Sequence, residues 1–232
     1  MKRILSICLS IFMLVPLAVP LAKKKLNKLQ ESQHKAMHEI VMVQRNDSEE
    51  VVEAELCTAY AVGPHTLMTA EHCNYDKVDK VYVDPINKDA VKKDQSASYK
   101  ITGRYFDHQD HMLMDLQGVV FKDIVFLRPN VRLPKQSEHT YTWGNPAGIR
   151  DQYREGRVMG TMLFESIQEV DAKGPLLYLV QTTVASGDSG SAVFSEKDGA
   201  LIGIISFSIN EGDVMGMFPI QFTGGQIEQS LK

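Results

Sequence analysis

Leu56-Cys57-Thr58-Ala59-Tyr60-Ala61-Val62-Gly63-Pro64-His65-Thr66-Leu67-Met68-Thr69-Ala70-Glu71-His72-Cys73 and Ala185-Ser186-Gly187-Asp188-Ser189-Gly190-Ser191-Ala192-Val193 are the two stretches that decide how this chain is read. The first holds two short apolar runs around a Gly63-Pro64 turn and ends on a histidine set against a cysteine. The second places Ser189 between Asp188 and Gly190, with Gly187 just before them. A serine hydroxyl is a poor nucleophile until a nearby imidazole takes its proton. Glycines beside the serine permit a tight turn whose Gly187 and Ser189 N–H groups point the same way, as stabilisation of a developing oxyanion requires.

Outward from these stretches, short runs rich in Val, Ile, Tyr and Thr recur between Gly, Pro, Asn and Asp. They cover residues 40–43, 56–62, 66–69, 80–83, 99–105, 116–121, 124–127, 140–143, 156–164, 176–182, 192–194, 201–208 and 215–222. Many short strands separated by turn signals predict an all-β domain of sandwich or barrel type rather than alternating β and α. Two halves meeting near residues 128–135 fit the count. No repeat of fixed period is visible.

The 232 residues suffice for one large or two small packed domains. A net charge of -4 gives no general attraction to nucleic acid or to anionic membranes. The N-terminus has its own character. Lys2 and Arg3 precede an apolar run over residues 4–22, which reads as a secretory signal cleaved after Ala22 or Ala18. The alternative is a retained membrane anchor, since the run nearly reaches the roughly 20 residues a span needs and Lys23, Lys24 and Lys25 follow it. Residues 23–39 read as a linker, short helix or propeptide. His34 and His38 stand four apart there, without a carboxylate or cysteine to complete a metal site. With Cys8 in the signal, Cys57 and Cys73 remain as a pair that an oxidising compartment would bond.

Together the two stretches resemble the chymotrypsin-like serine peptidases, which carry a TA-x-HC segment and a GDSG segment in this order. The resemblance implies two packed antiparallel β-barrels, about 40–128 and about 129–232, with the cleft between them. It implies a serine endopeptidase acting on proteins or peptides through an acyl-enzyme, with no cofactor or metal. His72 is then the general base, Ser189 the nucleophile, Gly187 and Ser189 the oxyanion donors, and Cys57–Cys73 the disulfide of the histidine loop. Asp123-Ile124-Val125-Phe126-Leu127 best matches the family's D-I-A-x-L, which makes Asp123 the third member; Asp110 and Asp115 are the alternatives. Ser206 should bond the triad aspartate, and Ser206, Phe207 and Ser208 should hold the substrate backbone. Thr183 should lie at the base of the specificity pocket, with Ser208 and Gly216 on its walls. Gly144-Asn145-Pro146-Ala147-Gly148 resembles the GNP-x-G turn of HtrA-like and glutamyl-endopeptidase-like members. Three features depart from the pattern: Ser191 stands for the second glycine, Glu71 for a small residue, and no Ile-Val-Gly-Gly activation terminus is present. A new N-terminus pairing with Asp188 is therefore not expected. A homologue that binds without cleaving is the rival reading. A lipase or esterase is a second rival, disfavoured because the serine lacks the second glycine of a G-x-S-x-G elbow and the β-rich pattern lacks crossover helices.

Overall fold

A computed structural model describes residues 27–48, 50–75, 78–128, 131–163, 176–209 and 212–231. The segment read as a signal or anchor lies outside them. Twelve strands form two closed antiparallel six-stranded barrels. Barrel one contains β1 (Met37–Arg45), β2 (Val51–Ala61), β3 (Thr66–Ala70), β4 (Lys80–Val83), β5 (Ser98–Phe106) and β6 (His111–Gln117), closed in the order β1-β2-β3-β6-β5-β4. Barrel two contains β7 (His139–Gly144), β8 (Gln152–Leu163), β9 (Leu176–Gln181), β10 (Ala192–Ser195), β11 (Leu201–Ile209) and β12 (Val214–Phe218), closed as β10-β11-β12-β9-β8-β7. Three short helices, α1 (Lys28–Lys35), α2 (Lys88–Lys92) and α3 (Gly224–Ser230), sit outside the barrels' ladders. No helix among the described residues is long and apolar enough to cross a membrane.

Side chains alternate faces along a strand, and several strands here bury both. On β6, Met112, Met114 and Leu116 fill barrel one, while Leu113 faces the second barrel. On β10 and β11, Val193, Ile202 and Ile205 fill barrel two, while Phe194, Leu201 and Ile204 join Tyr60, Met68 and Trp143 in the layer between barrels. The inter-barrel layer therefore fixes β3, β6, β10 and β11 against one another, and the ends of these elements carry the site.

Two expected strands are corrected. The strand expected over 116–121 is β6, which begins earlier, at His111, and ends at Gln117, and residues 124–127 form no strand. Residues 124–128 alternate buried and exposed, but Val125 N–H to Ala61 O is their backbone tie to barrel one. Within residues 27–39 the short-helix alternative is the one seen. Asn27 and Gln30 form a capping box that starts α1. The buried Gln33 then donates to Gly199 O (2.8 Å) and accepts from Tyr141 Oη (2.7 Å), docking α1 on barrel two, and β1 starts at Met37.

Candidate active site

β3 ends at Ala70 and runs directly into a single 3-10 turn, Glu71–Cys73, that carries His72. Cys73 bonds Cys57 in the middle of β2, with an S–S distance of 2.03 Å. Closing a loop of this length stabilises the fold by about 3 kcal/mol in the chain-entropy view, and it ties the histidine turn to the barrel wall.

The ladder pairs Ala70 with His111, so the residue before β6 lies beside His72. That residue is Asp110. His72 Nδ1 lies 2.9 Å from Asp110 Oδ2 and 3.0 Å from Oδ1. The His72 backbone N–H donates to Asp110 Oδ1 (3.0 Å), and Glu71 N–H donates to Asp110 O (3.0 Å). Asp110 takes a positive φ of 61° to present its carboxylate this way, a conformation Asp tolerates better than most residues. The carboxylate at His72 is therefore Asp110 and not Asp123, which lies half-buried in the segment leading out of barrel one. Asp115 lies at the other end of the β3–β6 ladder, opposite Thr66, and accepts from Thr66 Oγ1 (2.8 Å).

From barrel two, Ser189 Oγ meets His72 Nε2 at 2.8 Å. Ser189 is held against barrel one by Thr58 N–H donating to its carbonyl (2.8 Å), and Thr58 Oγ1 donates to Gly187 O (2.8 Å). Asn145, buried in the Gly144–Gly148 turn, donates to that same Thr58 hydroxyl (3.1 Å).

In a trans peptide the C=O and the following N–H point to opposite sides. Ser186 O accepts from Ala147 N–H (2.6 Å) and Asp188 O from Ser191 N–H (2.8 Å). The N–H groups of Gly187 and Ser189 are thus turned away from the protein, and among the described residues neither has an acceptor. Only glycine fits at two points of this turn. Gly187 has φ 98° and a Cβ there would fall 2.5 Å from Asn145 O; Gly190 has φ 86° and its Cβ would fall 2.0 Å from Thr58 O.

The turn's anchor is Asp188, whose side chain is 1% exposed. Arg154 of β8 pairs with it bidentately, Nη2 to Oδ1 at 2.6 Å and Nη1 to Oδ2 closer still. Arg154 Nη1 also donates to Thr183 O (2.9 Å), and Ala185 N–H donates to Asp188 Oδ2 (2.9 Å). Asp188 thus has a cation from within the chain, in keeping with the missing activation terminus.

Burial opposes a charged imidazole, but the hydrogen bond and charge of Asp110 outweigh it and raise the His72 pKa above its ordinary value. Burial likewise opposes the Asp110 carboxylate, and its bonds to His72 overcome that and lower its pKa. Ser206 lies on β11 beside this carboxylate and helps lower it, but its buried hydroxyl completes no hydrogen bond among the described residues. Thr183 and Ser208 are exposed. Gly216 is covered: a Cβ on it would fall 2.5 Å from Phe207 Cζ, and the Phe207 ring centroid lies 6.1 Å from that of Phe218. The two histidines of the N-terminal region go to single carboxylates, His34 to Asp151 (3.2 Å) and His38 to Asp84 (2.8 Å).

Two residues of this site were not singled out as partners from the sequence, Arg154 and Thr58. Neither carries a local signal, since their contacts lie 34 and 129 positions away.

A family model described as a trypsin-like peptidase domain matches residues 57–204. Among solved structures, the active form of the Rv3671c protease from M. tuberculosis aligns with a TM-score of 0.62 at 15% identity, covering 88% of this chain and 83% of that one. Its inactive form aligns at 0.59 and 15%, covering 88% and 91%. The HtrA-type protease AlgW with a tripeptide aligns at 0.58 and 17%, covering 82% of this chain and 58% of that one. At these identities the likeness concerns the fold. No curated protein matches the sequence.

Proposed function

The chain belongs to the trypsin-like peptidase family, and from that premise we propose that it is a serine endopeptidase in which His72, Asp110 and Ser189 form the catalytic triad. The observation that carries this reading is the contact of Ser189 Oγ with His72 Nε2 at 2.8 Å, with Asp110 on the other ring nitrogen. Asp110 holds the proton on Nδ1, which leaves the Nε2 lone pair facing the serine. As Ser189 attacks a peptide carbonyl, His72 takes its proton, and the imidazolium that forms is stabilised by Asp110. The oxyanion develops toward the free N–H groups of Gly187 and Ser189. His72 then protonates the leaving amine, and water repeats the sequence on the acyl-enzyme. The same groups disfavour a homologue that only binds, because an alignment of nucleophile, base and free donors serves no binding role.

Thr183 offers no counter-charge to a substrate Arg or Lys at the pocket base, and a desolvated cation without one is costly. The Phe207 ring over Gly216 takes up wall space. We therefore assign the pocket small, uncharged side chains. Export is part of the proposal: residues 1–22 read as a signal, and the Cys57–Cys73 bond suits an oxidising compartment.

Digestion of a peptide library across pH tests both parts. Because the raised His72 pKa belongs to the base that must be neutral, kcat/KM should climb as pH rises through a midpoint above about 6.5. Cleavage should follow small uncharged residues, and Ser189→Ala should give none. A profile dominated by Arg or Lys before the cut would overturn the pocket assignment, and a midpoint near pH 4 the role of His72.

A further inference from the structure

We propose that Asp107 and His111 are positioning residues that aim Asp110 at His72, a reading that rests on the triad proposed above. The loop between the end of β5 at Phe106 and the start of β6 at His111 is short, residues 107–110. Two of its residues, His108 and Asp110, take positive φ of 60° and 61°. Backbone in that region persists only where its surroundings over-determine it. Asp110 is the last residue of this loop and its carboxylate meets His72 Nδ1. Whatever holds the loop therefore also aims the carboxylate.

Asp107 supplies the hold, with a fully enclosed side chain. Its Oδ1 accepts from Gln109 N–H (2.9 Å) inside the loop. Its Oδ2 accepts from His111 Nδ1 (2.7 Å) and from Gln221 N–H (2.8 Å). The Asp107 N–H closes the loop by donating to His111 O (3.3 Å). His111 is enclosed as well, and its ring lies 6.4 Å, centroid to centroid, from that of Phe222. Its Nε2 completes no hydrogen bond among the described residues. A buried polar atom without a partner is costly. An aliphatic side chain would avoid that cost, so packing alone does not account for a histidine here; its bond to Asp107 does.

The same carboxylate spans the two barrels. Asp110 and His72 belong to barrel one, whereas Ser189 comes from barrel two. Gln221 lies in the segment between β12 and α3, and its neighbours Ile220 and Phe222 are buried in the layer between the barrels. Further along that segment, Gln226 Nε2 donates to Phe106 O (2.7 Å), next to Asp107. The chain that leaves barrel two thus grips the loop at both Phe106 and Asp107. Through Asp107, the place of Asp110 is set relative to the barrel that carries the nucleophile. Both side chains of the pair are enclosed, so they act through Asp110 and not on substrate.

Steady-state kinetics and an NMR titration of the His72 ring, both on the full chain, test this. In Asp107→Asn an N–H₂ group replaces one acceptor oxygen and opposes a donor that the carboxylate now receives. kcat should fall about 10- to 100-fold, as for a small misplacement of a reacting group, with KM within about 2-fold of wild type. His111→Leu should do the same. His111→Asn, whose N–H₂ takes the place of Nδ1–H, should restore most of the loss. Burial opposes charge on the His72 ring, and Asp110, with a smaller push from Glu55, outweighs it. The His72 pKa should therefore fall in Asp107→Asn and His111→Leu and stay near wild type in His111→Asn. Unchanged kcat and His72 pKa in folded Asp107→Asn and His111→Leu, even with stability lost, overturn the positioning role while the catalytic reading stands. His111→Asn no better than His111→Leu overturns it too, and the two His111 variants decide alone where Asp107→Asn does not fold. A His72 pKa that moves as expected, in a chain that cuts no peptide, supports the pair and removes the catalytic reading.

Discussion

Asp110→Asn should lower kcat by about four orders of magnitude with KM little changed, while Asp123→Asn leaves both near wild type. The amide of Asn can offer its N–H₂ to His72 Nδ1, which favours the tautomer with the proton on Nε2. That nitrogen then faces Ser189 Oγ across 2.8 Å as a donor and cannot accept the serine proton. The pH profile should move as well. Asp110 is what raises the His72 pKa against the effect of burial, so any residual activity of Asp110→Asn should titrate at lower pH than wild type. Steady-state kinetics of the two variants across pH decides between them; a large loss for Asp123→Asn with Asp110→Asn intact would reverse the assignment.

Arg154→Met should damage both stability and turnover. It leaves Asp188, 1% exposed, as a buried carboxylate without its cation. Breaking a buried pair from one side costs about 3–5 kcal/mol, out of a net stability of about 5–15 kcal/mol. The turn from Ala185 to Ser191 is built on that carboxylate through Ala185 N–H, so the Gly187 and Ser189 donors lose their aim. Loss of one oxyanion donor costs about 10²–10³ in kcat, and a loss of that size is expected at a temperature where the variant is still folded. Removing both charges, in Arg154→Met/Asp188→Asn, should recover much of the unfolding free energy and little of the kcat. Denaturant unfolding of the wild-type chain and the two variants measures the first effect. Wild-type stability and kcat in Arg154→Met would show that the pair does not hold the turn.

How much was legible in the sequence depends on whether a signal was local. His72 and Ser189 stand in short motifs, and the cysteine spacing goes with the histidine loop, so these three could be read directly. An all-β domain was legible because most strands are short and bounded by Gly, Pro, Asn or Asp, and the two barrels followed from the resemblance carried by the two motifs. Asp110 matches the D-I-A-x-L pattern less well than Asp123 because His111, not an aliphatic residue, follows it. That histidine is buried because its Nδ1 pairs with Asp107 Oδ2 at 2.7 Å, both side chains being fully enclosed. A polar residue paired this way through one ring nitrogen breaks the apolar pattern of β6 without breaking the strand. The segment after Asp123 shows the reverse case: Val125 and Leu127 are buried at alternate positions, so it has the period of a strand and lacks the ladder. Arg154 had no signal at all. Its meaning comes from a carboxylate 34 positions away and from a tertiary fold that brings β8 under the nucleophile turn.

The catalytic claim reduces to one property, a serine hydroxyl made nucleophilic by the imidazole beside it. Incubation of the full chain with a fluorophosphonate probe, followed by peptide mapping, measures that property at the residue itself. A single modified site at Ser189 is expected, with labelling lost in His72→Ala and strongly slowed in Asp110→Asn. Failure of the folded wild-type chain to label, or modification at a serine other than Ser189, would contradict it.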